Sequence, residues 1–481
     1  MDYCKMFIMN RACFSKSTTK RKRSHERSEL NLHESASWRT SIRPLKNNFV
    51  KKIILLAILF TFQKTFAQTI TVPSNLKTLV EHSFQNYPRV ASMTELVHLS
   101  EARVSLGRAG YLPIASGDFS YTRLYPTPTI GLPIGNNQEL NVQFFPADNY
   151  NAQISVKQPI LDLSVAAKVG KAKSDLATSS DNLESFKMQL AYQIAQIYYS
   201  IIFLNKSLVV QQDQLNLLKS NLQQIEVMVK NGDALKYDLL STNVQYTNTE
   251  NSFTDLQEQL QKQYNMLNML TGKKGQNYIT DSIDYHTFDQ VADSILASAA
   301  NRNPDLKIAK DKVDAANWDI IAANRSRLPT MNLQAAAGYK NGFIPDIGTI
   351  QFNYAVGVGI TIPILPPSRP GIQKRIAEMN VNASKFDLNT QTLTLTKDLL
   401  NALGDVKKNE KKLTSADTLI QQAQTALEIA NERYKNGVNT SLDLLTAQTN
   451  YQNALLSRLQ FEYNLILSKM EVSRLAGNRW W

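Results

Sequence analysis

The residues that could do chemistry in this 481-residue chain are few and poorly grouped. Its five histidines, His25, His33, His82, His98 and His286, show no metal-ligand spacing, and no His-Glu-x-x-His segment occurs. Both cysteines, Cys4 and Cys13, lie near the N-terminus, so from Gln68 onward there is no thiol nucleophile, disulfide or cysteine metal site. Thr271-Gly272-Lys273-Lys274-Gly275 has the look of a phosphate loop, but Leu267 stands where the upstream glycine is required. The segment reads instead as a helix C-cap with basic residues at the negative end of the dipole. Gly357 and Gly359 sit inside an alternating strand with no helix after it, which argues against a dinucleotide loop. No catalytic, cofactor or metal residue is assigned, no cofactor is expected, and the chain is not expected to be an enzyme.

Charge points the same way once it is located. Of the formal +12, residues 1–49 carry +7 and Lys51, Lys52 and Lys64 another three, leaving +2 for Gln68–Trp481. That balance gives no reason to expect a nucleic-acid partner. Lys51-Lys52, the apolar run Ile53–Phe62 and Thr65-Phe66-Ala67-Gln68 form a secretory signal, cut near Ala67/Gln68 and too short to span a membrane. Because such a signal belongs at the N-terminus, translation is expected to start at Val50, read as Met from a GTG codon. The alternative is that residues 1–49 are a genuine extension. Beyond Ala67 no stretch approaches ~20 apolar residues, so a membrane-spanning mature chain must use a closed β-barrel.

The elements that would position such a barrel come in two copies. Tyr87-Pro88 followed by Leu112-Pro113 recurs as Asn303-Pro304 followed by Leu328-Pro329, at an offset of 216. Gln158-Pro159-Ile160-Leu161 recurs as Ile362-Pro363-Ile364-Leu365 at 204; Asn231-Gly232 with Tyr237-Asp238-Leu239-Leu240 recurs as Asn436-Gly437 with Leu442-Asp443-Leu444-Leu445 at 205. Leu270-Thr271-Gly272 returns as Leu475-Ala476-Gly477. The change of offset falls on Tyr125–Asn149, rich in Pro, Gly and Asn, which reads as a longer loop in one hairpin.

Each copy reads as helix, β-hairpin, very long helix, tight turn, long helix. The first copy covers 68–272, with its hairpin about 114–160 and helices about 161–231 and 234–271. A linker, 273–300, leads to the second, 301–478, with its hairpin about 330–364 and helices about 371–436 and 439–476. Ile194, Ile197, Ile201, Leu204, Leu208, Gln211, Leu215, Leu218, Leu222, Ile225 and Val229 keep 4-3 spacing over about five heptads, a coiled-coil pattern. Leu445, Thr449, Gln452, Leu456, Leu459, Tyr463, Ile466 and Met470 keep it in the last helix. Phe352, Tyr354, Val356, Val358 and Ile360 alternate with small or polar residues, as do Ile154 and Val156, giving each strand one candidate lipid face. Four strands cannot enclose a lumen, so closure needs several chains.

The secretory signal, the duplicated order, Leu-Pro before each hairpin and Asn-Gly with Asp-Leu-Leu after each long helix resemble the TolC-like outer membrane efflux protein family, over Thr69–Asn478. The resemblance implies a mainly α fold with a small β part: four strands per chain in a trimeric 12-stranded barrel continuous with a coiled-coil α-barrel. It implies a channel-tunnel of a tripartite efflux or type I secretion system, a passive duct in the outer membrane gated at its periplasmic tips. The implied partners are two more copies, outer membrane lipid, a periplasmic adaptor and an inner-membrane transporter of the RND, ABC or MFS class. At the second tip Tyr434, Gly437 and Asp443 match the family pattern, whereas Asn439 replaces a basic residue and Thr446 an acid. Asp443, Tyr434 and Asn439 are therefore candidates for gate and selectivity, three Asp443 carboxylates forming a cation-favouring ring. The other account of Asp443, and of Asp238, is support of a helix N-terminus. Asn231, Gly232, Asp233, Asn436, Gly437 and Val438 are the candidate tip turns and adaptor-docking residues. The competing assignment is a periplasmic adaptor, which would carry one coiled hairpin flanked by β-rich domains.

Overall fold

The computed structural model describes residues 74–133, 135, 139–272, 292–364 and 369–481, all within the unit Gln68–Trp481. The leader 1–49, the signal 50–67 and residues 273–291 of the linker lie outside the described residues.

The repeated prolines are helix starts. α1 (Ser74–Asn86) ends before Tyr87, and α2 (Pro88–Ala109) opens with Pro88, where a missing N–H costs nothing. In the second repeat α5 (Ala292–Arg302) ends before Asn303, whose side chain accepts from Leu306 N at 3.1 Å as Pro304 opens α6 (Pro304–Arg325). Each repeat thus begins with two helices rather than the single one expected. Most of α5 falls in the stretch read as linker. It buries Ile295 and Ala299, a stripe of two turns that is too short for periodicity to register.

Four strands follow the expected hairpins. β1 (Ile114–Arg123), β4 (Asp148–Leu161), β5 (Thr330–Lys340) and β6 (Gln351–Thr361) form one antiparallel sheet in the order β1-β4-β5-β6. The segment read as a long loop instead contains a separate two-stranded ribbon, β2 (Thr129–Pro133) on β3 (Glu139–Gln143). The described strands therefore number six. Two five-residue strands among Pro, Gly and Asn look like turn sequence because their alternation is so short.

Each hairpin feeds a helix of exceptional length, α3 (Leu163–Asn231, 69 residues) and α7 (Pro370–Lys435, 66 residues), each about 100 Å at 1.5 Å per residue. α4 (Lys236–Thr271) and α8 (Ser441–Leu475) return from them. Laterally the helices near the sheet pack in the order α2-α3-α6-α7, leaving α2 and α7 at the edges, as β1 and β6 are the edges of the sheet. α3 crosses α6 where Gly170 lets Trp318 approach; a Cβ there would stand 2.5 Å from the indole. Lys171 Nζ meets Asp319 Oδ1 at 2.7 Å and Ser185 Oγ donates to Asp305 Oδ1 at 2.6 Å along the same antiparallel seam.

Two apolar clusters sit where the paired first helices, the long helices and the ends of the returning helices meet. One gathers α1, α3, α4 and the end of α8 around Tyr198, Tyr199 and Ile201; the other gathers α5, α7 and α8 around Leu399 and Leu475. Trp480, 4% exposed, belongs to the first cluster, and Trp481 meets Phe84 edge-on. The C-terminal tryptophan pair thus belongs to this core, Trp480 inside it and Trp481 packed against it. Further along, Gln452 Nε2 donates to Gln211 Oε1 at 2.6 Å and Gln211 Nε2 to Thr249 O at 3.1 Å, linking α8, α3 and α4. Such polar layers in a coiled seam fix register.

Candidate functional site: an apolar sheet face and two helical tips

The sheet separates its side chains into two faces by register alone. Phe119, Ala152, Tyr339 and Phe352 lie in one row, Gly117, Ile154, Ala337 and Tyr354 in the next, and Ala115, Val156, Ala335 and Val356 in the third. Leu333 with Val358 and Met331 with Ile360 continue the same face. The opposite face carries Ser116, Asp118, Lys157, Ser155, Gln153, Gln334 and Asn353. All seven expected lipid-side residues, Ile154, Val156, Phe352, Tyr354, Val356, Val358 and Ile360, therefore share one face. Six of them are exposed, Tyr354 to 75%, and Val156 is half-buried. From Phe352 to Ile362 is ten residues; at roughly 3.3 Å each and a tilt of about 40° they span about 25 Å, the height of a barrel's apolar band. Tyr121, Tyr150, Tyr339 and Phe352 crowd the end away from the helices, with ring pairs at 5.2 and 5.5 Å. Sequence reading missed that aromatic row because its members come from four strands.

The two tips are built alike. After α3, Gly232 takes φ 81°, its N–H reaching Val229 O at 3.2 Å while Asp233 N–H reaches Met228 O at 2.8 Å. After α7, Gly437 takes φ 69°, with Gly437 N–H on Tyr434 O at 3.0 Å and Val438 N–H on Arg433 O at 2.9 Å. Each is the left-handed helix ending for which glycine pays no steric cost. Asn436 and Asn439 N–H groups close on Glu432 O and Arg433 O at 3.2 and 3.3 Å, so their backbones serve the turn.

The acids differ more than their matched positions imply. Asp443 Oδ2 accepts from Thr440 N at 2.9 Å and Thr440 Oγ1 at 2.8 Å, while Asp443 N–H donates to Thr440 Oγ1 at 3.2 Å, a reciprocal capping box. The Thr440 N–H and then its hydroxyl hold the Asp443 carboxyl below the ordinary carboxylate range. Asp238 forms only half a box, accepting from Leu235 N at 3.2 Å, because leucine offers no side-chain oxygen. Tyr434 is half-buried; burial, then the charge of Asp238, raises its hydroxyl pKa. A groove of about 590 Å³ runs between the starts of α4 and α8, lined by Tyr237, Leu240, Val244, Leu442 and Leu445. Among the described residues no group of three or more His, Cys, Asp or Glu is placed to hold a metal.

Known proteins share this arrangement. Residues 295–478, which take in the whole of the second repeat and the end of the linker before it, match the family model described as outer membrane efflux protein. The outer membrane efflux protein BepC of Brucella suis biovar 1 is 19% identical over 91% of this chain and 91% of its own length. The proteases secretion protein PrtF of Dickeya chrysanthemi is 19% identical over 78% of this chain and 82% of its own. The solved structure of CusC superposes with a TM-score of 0.72 at 17% identity, covering 86% of this chain and 94% of that one. The fold is that of the TolC-like outer membrane channels. The matching family model is that of outer membrane efflux proteins, these relatives are named for efflux and protease secretion, and no flanking β-rich domains of the adaptor kind occur among the described residues.

Proposed function

We propose that three copies of this chain close into a duct through the outer membrane, and that the duct is the passive exit of an efflux or secretion assembly. One observation carries the reading: both layers run out of partners on the same two sides. β1 and β6 are the sheet's unpaired edges, and the helices attached to them, α2 and α7, are the edges of the helical layer. α2 exposes Leu96, Leu99 and Leu106, and α7 exposes Ile372, Ile376, Met379, Phe386, Leu393 and Leu400. The α7 positions 379, 386, 393 and 400 are seven apart, a coiled-coil seam left exposed among the described residues. A copy that seats its α7 and β6 on the next copy's α2 and β1 satisfies both at once, and such head-to-tail contacts close into a ring.

In this reading the apolar sheet face meets lipid, the polar face lines the lumen, and the tips lie in the periplasm. The groove between α4 and α8 and the tip turns receive a periplasmic adaptor, which connects to an inner-membrane transporter. Three Asp443 carboxylates form a fixed negative ring, the chain acts without catalysis, and a signal cut near Ala67/Gln68 exports it. The test is the outer-membrane fraction of cells expressing the full chain, followed by purified protein in a planar bilayer. Heat-resistant trimers with single-channel conductance are expected. A monomer that conducts nothing would overturn the duct.

A further inference from the structure

The β2–β3 ribbon has a face that the duct as described does not use. Its register sets Ile130 opposite Val142 and Leu132 opposite Leu140, and residues two apart share a side, so these four form one apolar face. Gly131 and Asn141 lie on the other side. Ile130, Leu132 and Leu140 are exposed.

Three observations say where this face lies and what can cover it. β1 starts at Ile114, next to the end of α2, and finishes at Arg123, so the ribbon springs from the end of the sheet away from the helices. The ribbon's base is pinned there: Leu124 N–H reaches Ala147 O at 2.8 Å, and Asn341 Nδ2 donates to Asp148 O at 2.6 Å. Thr129 comes eight residues after Tyr121 of the aromatic row that ends the lipid band, so the apolar face stands beyond lipid, in water. Lastly, the ribbon continues from β1, the edge on which a neighbouring copy seats. The ten residues from Leu124 to Pro133 reach up to ~30 Å. A 12-stranded barrel with strands ~4.8 Å apart and tilted ~40° has a radius of only about 12 Å.

We infer that the Ile130, Leu132, Leu140 and Val142 face is covered by its counterparts on neighbouring copies, three ribbons meeting over the outer mouth of the barrel. The inference rests on the trimeric reading and adds to it a contact at the end opposite the helical tips. Among the described residues only the first repeat carries such a ribbon, so each trimer has three, related by its own axis.

Because the chain has no cysteine after Cys13, a thiol placed in the ribbon of the exported protein forms disulfides only between molecules. Leu132→Cys and, separately, Leu140→Cys are expressed in the full chain and oxidised in intact outer membranes. Most of either variant is expected as covalent dimers. Asn141→Cys, on the other face, is expected to give less than about a tenth as much, since Cα atoms more than about 7 Å apart cannot be bridged. No cross-link at either leucine, or equal yields from both faces, overturns the ribbon contact. The unoxidised samples report the trimer independently: a heat-resistant oligomer without cross-link removes the ribbon contact alone, and no oligomer removes both.

Discussion

α3 and α7 occupy the same place in the two repeats, yet they differ in who covers them. α3 is packed by α1, α2, α4, α6 and α8, and from Leu190 to Leu204 it is buried at almost every apolar position. α7 packs chiefly on α6 and α8, with a smaller contact to α5, and leaves Phe386 73% exposed within its heptad stripe. Duplication produced two similar long helices; position made one the centre of the chain and the other its border. A heptad seam shows only that a partner is needed, and the partner's chain is decided by which elements lie on either side.

The sharpest way to break that contrast is to charge the border. Phe386→Asp with Leu393→Asp is expected to abolish heat-resistant trimers and conductance while the far-ultraviolet helical signal of the detergent-solubilised chain is kept. Ile201→Ala, in the centre, is expected to do the reverse, costing the chain itself about 2–5 kcal/mol in denaturant unfolding, because a fully buried side chain leaves a cavity. If both variants lose trimer and chain stability together, the division between centre and border fails.

Much of this was legible in the residues. Proline pairs and the 4-3 spacing carried the long helices, and strict alternation from Phe352 to Ile362 carried the lipid-type face. Other features had no local signal. The ribbon hid among turn-forming residues, and α5 was too short for a period. Trp480 is buried by residues from α1, α3 and α4, which lie hundreds of positions earlier. Which of two equally regular heptad helices faces another molecule is a property of lateral order, and lateral order is not written in spacing. At the tips, the Asn-Gly turns and both acids were legible, but the influence of Asp238 on the Tyr434 hydroxyl joins two repeats and was not.

A smaller effect tests the seam between centre and border. Asp311 of α6 lies near Asp181 of α3; burial first, then the charge of Asp181, push its carboxyl up to about 6, with Asp314 adding and Lys307 opposing, and Asp311 Oδ2 is buried without a hydrogen-bond partner. The folded chain holds this proton more tightly than the unfolded chain, whose carboxyl ionises near 3.8. Stability is therefore expected to fall as pH rises from about 4 to about 6 and to level off above that window. Asp311→Asn keeps this side chain uncharged at every pH. It is expected to flatten the melting temperature between pH 4 and 7 and to raise it by a few degrees, on the order of a 1 kcal/mol change, at pH 7. A wild-type melting temperature that is constant across that range would remove the carboxyl pair as a titrating contact.

The smallest expected change separates two roles for one carboxylate. Asp443 is fully exposed, and its Oδ2 is taken up by Thr440, so helix capping alone accounts for its position. The same contacts keep it ionised throughout the physiological range, which a selectivity ring also requires. Asp443→Asn preserves an oxygen that can accept from Thr440 N–H and removes only the charge. If three charges line the closed end of the duct, the potassium-over-chloride permeability ratio falls in this variant while trimer yield and conductance stay near wild type. Should the ratio be unchanged, Asp443 is a cap and nothing more. Asp238→Asn then serves as the control from the chain's other tip: its half-formed box and its neighbour Tyr434 give the first repeat the same charge without the same cap.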